Sequence, residues 1–258
     1  MRPFTGLRII GRSLFSLFAE TGAYTSLLVN ILSFIKYIFK DRHLLFEQMY
    51  RIGVSSLPLV TVVSLFTGAV SSWQAAYQFR GVISLDFLGT AVSAAIFIEL
   101  SPVLTGLVVA GRVGASIAAE IGTMVITEQV DALETLAIDP VRYIAAPRFH
   151  AGWIMLPVLV IFSNFLAHLG AFVVAGALLD ISASTFFSSV QKYFDLHNVF
   201  SGLIKAFIFG AGTALIGSSI GFRATGGAKG VGQATIKAFV SSSAFILISD
   251  YILAIILF

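Results

Sequence analysis

Residues 87–109 read FLGTAVSAAIFIELSPVLTGLVV, an apolar run whose single ionisable side chain is Glu99. A hydrocarbon core ~30 Å thick needs about 20 residues of helix to cross it, so this run is long enough to span a membrane. Glu99 falls roughly 18 Å along the axis from Phe87, at 1.5 Å per residue. A carboxylate at that depth costs ~2.5 kcal/mol or more unless it faces protein or water. Pro102 removes a backbone hydrogen bond just after it and is expected to kink or unwind the helix beside the carboxylate. Two readings follow: Glu99 lines an internal cavity, or it is a structural carboxylate bonded to a neighbouring helix.

The rest of the chain repeats the pattern. Of 258 residues, 57% are hydrophobic and only 11% are charged, whereas a soluble domain carries about 25%. Four more spans are expected, over 54–77, 149–179, 199–222 and 238–258, with 149–179 long enough to tilt or to project. Residues 25–40 alternate differently. Ser26, Asn30, Ser33, Tyr37 and Lys40 share one helical side and Leu28, Ile31, Ile35, Ile38 and Phe39 the other. Such a helix lies in the interface plane, a sixth crossing being the alternative. The expected fold is an all-α integral membrane protein: an N-terminal interfacial region over residues 1–50, then a domain of about five transmembrane helices over 51–258. No short apolar core with a small-residue cleavage site marks a signal peptide.

Charge sets the orientation. Thirteen of the sixteen Lys and Arg fall in the N-terminal region and in 111–148 and 223–237, leaving Arg80, Lys192 and Lys205 on the other side. The N-terminus is thus expected in the cytoplasm and the C-terminus outside. The net charge of +3 is scattered, which sets topology beside anionic lipid and does not suit a nucleic acid partner.

Catalytic patterns are missing. Residues 226–232, GGAKGVG, have neither the spacing nor the Ser/Thr of a phosphate-binding loop. His43, His150, His168 and His197 are too dispersed for a metal site, and there is no cysteine. No enzyme, metal or cofactor is expected. Lys205 is read as snorkelling to the outer interface, Asp250 as pairing within the bundle, and His168 and Asn164 as interhelical hydrogen bonders. Gly111, Gly114, Ala118 and Gly122 form a stripe for close helix packing, with Arg112 and Glu120 beside it.

Residues 124–138 form a second informative segment. Ile126, Val130, Leu133 and Ala137 make an apolar face, while Glu128, Asp131 and Glu134 recur on another before Asp139-Pro140 stops the helix. It is either a solvated amphipathic helix or a docking helix whose acids meet basic groups of a soluble partner.

The runs ELSPVL (99–104), AGRVGA (110–115), AEIGTM (119–124), TEQVDAL (127–133), DPVRY (139–143), APR (146–148), RATGGA (223–228) and GVGQAT (230–235) closely resemble the MlaE/YrbE permeases, in order and with family-like spacing from about Gln48 to Phe258. The resemblance implies a dimeric permease of an ABC transporter in the bacterial inner membrane. Its partners would be a second copy, a cytoplasmic ATPase that binds the ATP, MCE-type substrate-binding proteins and membrane phospholipid or a related lipid. It implies lipid contacts at Glu99, Gln74, Tyr77 and Pro102 in a cavity at the dimer interface. It also implies a coupling helix in 124–140 whose Thr127, Glu128, Gln129, Asp131, Leu133 and Glu134 meet the ATPase. Some members carry arginine just before the pocket glutamate; here Ile98 stands there. The residues by themselves also admit an ion-coupled transporter or channel using Glu99, or a scaffold that only recruits a partner.

Overall fold

The computed structural model describes residues 21–38 and 40–258. The expectations that rest on residues 1–20 and on Phe39, including Arg2, Arg8 and Arg12 in the charge asymmetry, lie outside them. The regular structure of the described residues is all helix, without a strand, and five stretches are long and apolar enough to cross a membrane: Arg42–Phe79, Leu85–Ile126, Val141–Leu178, Leu196–Phe222 and Gly227–Leu257. The chain is an all-α membrane protein, as its composition dictates.

A first helix, α1, covers residues 21–33. It buries Leu27 and Ile31 against Ala145, Ala146 and Phe149. The buried side is rotated slightly from the one expected, since Ile35 remains exposed. Helix α2 (Arg42–Ile52) then precedes α3 (Leu57–Phe79). α2 turns Leu45, Met49 and Ile52 to the core and leaves Phe46 and Tyr50 exposed.

The second stretch is far longer than residues 87–109. It runs through α4 (Leu88–Ala95), α5 (Ser101–Val109) and α6 (Ala115–Ile126). Two single π turns, Ile96–Leu100 and Ala110–Gly114, join these pieces. The expected distortion at Pro102 is therefore a π turn, in which the ladder skips a residue and continues. A third π turn, Val141–Ala145, leads into α8 (Ala146–Leu178). Each of the three carries one charged residue: Glu99, Arg112 and Arg142.

Helix α7 (Gln129–Thr135) is a short surface piece. Residues 124–138 were expected as one helix, but α6 ends at Ile126 and Glu128 takes a left-handed backbone with φ of 59°. Ala137 does the same with φ of 58°. Ile138 N donates to Leu133 O at 2.9 Å and Ala137 N to Glu134 O at 2.9 Å, closing the helix with the paired bonds that usually end on glycine.

Helices α9 (Ala183–Lys192), α10 (Leu196–Phe222) and α11 (Gly227–Leu257) complete the chain. α10 is the axis of the bundle and packs against α5, α6, α8 and α11. α3 packs mainly on α8, and a methyl on Gly68 or Gly170 would strike the backbone of the facing helix. That close approach lets Ser64 donate to Ser163 Oγ at 2.7 Å inside the contact. The expected glycine stripe on the second stretch lies against α10 and the last helix: a methyl on Gly114 would come within 2.9 Å of Thr213 Cγ2, and one on Gly111 within 3.4 Å of Phe239.

Candidate functional site

A buried ionic cluster joins three helical stretches. Lys205 Nζ donates to Glu99 Oε1 at 2.6 Å and lies 2.8 Å from Asp250 Oδ1. The lysine side chain is 0% exposed, against 40% for Glu99 and 19% for Asp250. Its snorkelling to the interface is thus overturned. The stem is surrounded by packed helices, and the ammonium has two carboxylates within reach, so no route to water is needed. The pairing of Asp250 within the bundle is as expected. Two carboxylates and one ammonium leave a formal surplus of one negative charge. Glu99 is the member that opens outward.

Local sequence builds this geometry. Gly202 lies one turn before Lys205 on α10, and a methyl there would collide with the Phe97 carbonyl in the π turn and approach Pro102. The absent side chain lets α10 lie against the turn that carries Glu99. Pro102 is buried in this contact. It supports the site from behind and does not itself reach the open side.

Gln74 and Tyr77 lie on α3, both exposed, with Tyr77 at 67%. They share a stripe with Phe66, Val70 and Trp73. No hydrogen bond joins either to Glu99. Within the bundle, His168 Nε2 lies 2.9 Å from Ser93 Oγ on α4 and its Nδ1 2.7 Å from Asn164 O. His168 is thus an interhelical bonder; Asn164 contributes its backbone, and its side-chain oxygen is unpartnered.

At the opposite end, α7 has no buried residue. Thr127, Glu128, Gln129, Asp131 and Glu134 are exposed, while Val130 and Leu133 pack on the main core. Leu133 is therefore an anchor beneath the acidic surface. Thr127 Oγ1 donates to Thr123 O at 2.8 Å and accepts from Gln129 Nε2 at 3.0 Å, which steadies the left-handed turn.

Two features escaped the sequence reading. Lys205 was legible in principle. It lies nine residues inside α10, roughly 14 Å from that end, and Asp250 lies seven residues from Leu257, roughly 11 Å. Opposite charges at matched depth are candidates for pairing. The second feature is the ionic network of Arg51, Glu47, Glu120 and Arg148, whose members are scattered over a hundred residues.

A helical bundle of five spans, with a buried ion triad and an acidic helix at one end, is a multi-pass membrane protein. The family described as Permease MlaE matches residues 45–256, and the chain belongs to the MlaE permease family. A probable ABC transporter permease protein of Rickettsia typhi is 43% identical over 83% of both chains. One of Synechocystis sp. is 42% identical over 82% of this chain and 81% of its own. The chloroplastic protein TRIGALACTOSYLDIACYLGLYCEROL 1 of Arabidopsis thaliana is 35% identical over 81% of this chain and 59% of its own length.

Proposed function

We propose that this permease is the membrane subunit of an ABC transporter that moves phospholipid, or a related lipid, between the inner membrane and periplasmic MCE-type carriers. Two copies would enclose the lipid, its headgroup against Glu99 and its acyl chains along apolar walls. Gln74 and Tyr77 stand on an exposed, otherwise apolar stripe of α3, and a polar amide among hydrocarbon is better accommodated where a second copy covers it. A separate cytoplasmic ATPase would sit on α7 and hydrolyse the ATP; the chain itself would do no catalysis. The N-terminus would lie in the cytoplasm and the C-terminus in the periplasm.

The observation that carries the reading is the half-open carboxylate of Glu99, held by a fully buried lysine. The open side of that carboxylate is where a headgroup can reach it. In proteoliposomes loaded with fluorescent phospholipid and supplied with the ATPase, Glu99→Ala is expected to abolish ATP-dependent transfer while the complex still assembles. Unchanged transfer sinks the pocket role. Transfer that needs a proton gradient and ignores nucleotide selects an ion-coupled carrier. Normal assembly with lost transfer rejects a scaffold that only recruits a partner. Reversing Asp131 and Glu134 to lysine should weaken ATPase retention by about tenfold without lowering the melting temperature, because both side chains are exposed. Full retention would remove α7 from the coupling surface.

A further inference from the structure

Beside α7 lies a second polar centre that the reading above does not use. A cleft of about 590 Å³ opens between α2, α6 and the start of α8, with Leu44, Glu47, Arg51, Glu120, Tyr143 and Arg148 among its walls. Arg51 Nη2 meets Glu47 Oε1 at 2.8 Å, and its Nη1 lies 3.7 Å from Glu120 Oε1. Arg148 Nη2 donates to Glu120 Oε2 at 3.0 Å. Arg148 is buried, and its Nε has no partner. A buried guanidinium N–H without an acceptor is an unfavourable arrangement.

The two arginines and two glutamates of these walls sum to zero charge; Arg112, in the adjoining cleft, is turned to Ser56 Oγ and the Arg51 carbonyl, at 2.6 and 3.3 Å. A ligand of net charge would leave one sign uncompensated. A zwitterion can enter with its anionic group on the arginines and its cationic group on the glutamates, and the balance is kept. Arginine's planar fork matches phosphate oxygens. The neighbouring face of α2 exposes Phe46 and Tyr50, the aromatic pattern of a helix at headgroup level. Leu44 and Tyr143 add apolar wall to the cleft.

We propose that this cleft binds the headgroup of a zwitterionic phospholipid bearing a primary ammonium, drawn from the leaflet in which α2 lies. The phosphate takes Arg51 and Arg148; the ammonium donates to Glu47 and Glu120. A quaternary ammonium lacks the protons for those hydrogen bonds, and a headgroup without a cation leaves the glutamates facing phosphate. The site stands apart from Glu99 and does not rest on the transport reading.

Native mass spectrometry of the purified full chain, titrated with phosphatidylethanolamine, phosphatidylcholine and phosphatidylglycerol of matched acyl chains, tests this. Phosphatidylethanolamine should be retained best. Arg51→Gln and Glu47→Gln, both at half-exposed side chains, should each reduce that preference by about fivefold. Arg51→Lys keeps the charge but loses the fork and should fall between. Melting curves identify any variant that has merely unfolded, in which case Glu47→Gln and Arg51→Lys carry the test. Equal or better retention of phosphatidylglycerol overturns the proposal, as does a preference untouched by both glutamine variants. A photo-crosslinker at Gln48 that captures an ATPase segment in the complex, and no lipid, also overturns it.

Discussion

Lys205 and Arg51 are each shared by two carboxylates, yet they occupy opposite surroundings. Lys205 is wholly enclosed, with Glu99 and Asp250 at 2.6 and 2.8 Å. Arg51 is half-exposed, with Glu47 at 2.8 Å and Glu120 at 3.7 Å. An enclosed cation has no solvent to fall back on, so removing it leaves two carboxylates facing each other in a low-dielectric bundle. An exposed cation exchanges its partners for water at little loss. The same composition of charges thus gives a rigid centre in one region and an adjustable one in the other.

The contrast is sharpest under substitution. Lys205→Met is expected to cost ~3–5 kcal/mol of stability, read as a large drop in melting temperature in detergent. The triple variant Glu99→Gln/Lys205→Met/Asp250→Asn removes every charge and should recover most of that loss, since neutral packing often equals a buried ion pair. A triple variant as unstable as the single one would break the comparison. Gly202→Val forces α10 away from the Phe97 carbonyl and should cost ~1–3 kcal/mol, with the Glu99–Lys205 distance lengthened in a structure of the variant. At the exposed centre, Glu47→Gln should change stability by less than ~1 kcal/mol, and the difference should shrink with added salt. A large, salt-insensitive effect there would make the two centres alike.

The membrane class and all five crossings were legible because each span exceeds the hydrocarbon thickness and nearly lacks charge. Their ends were less so. The second stretch extends to Ile126, since the bundle supplies neighbours for the glycine-rich extension and hydropathy does not record neighbours. Residues 124–138 show period and polarity correctly in Val130 and Leu133, which face the core. The break at Glu128 was hidden because a left-handed glutamate carries no composition signal. For the site, Glu99 stood out by its depth alone. Lys205 did not, because its partner Asp250 is 45 residues away and a lysine near a helix end has the cheaper option of reaching the interface. The cleft at Arg51 required knowing that α2, α6 and α8 converge, which no local pattern states.

The π turn at Ile96–Leu100 has one consequence of its own. It holds one residue more than an α turn, so residues before it are phased about 100° away from the positions an unbroken α-helix would assign them. Deleting a single residue there would restore an ordinary helical repeat and swing α4 around its own axis relative to α5. Shifting the surplus residue along the chain would rephase by the same angle only the residues between its old and new positions. The stretch between Leu85 and Ile126 therefore contains, in its backbone alone, the means to re-aim a side chain by a turn of the screw.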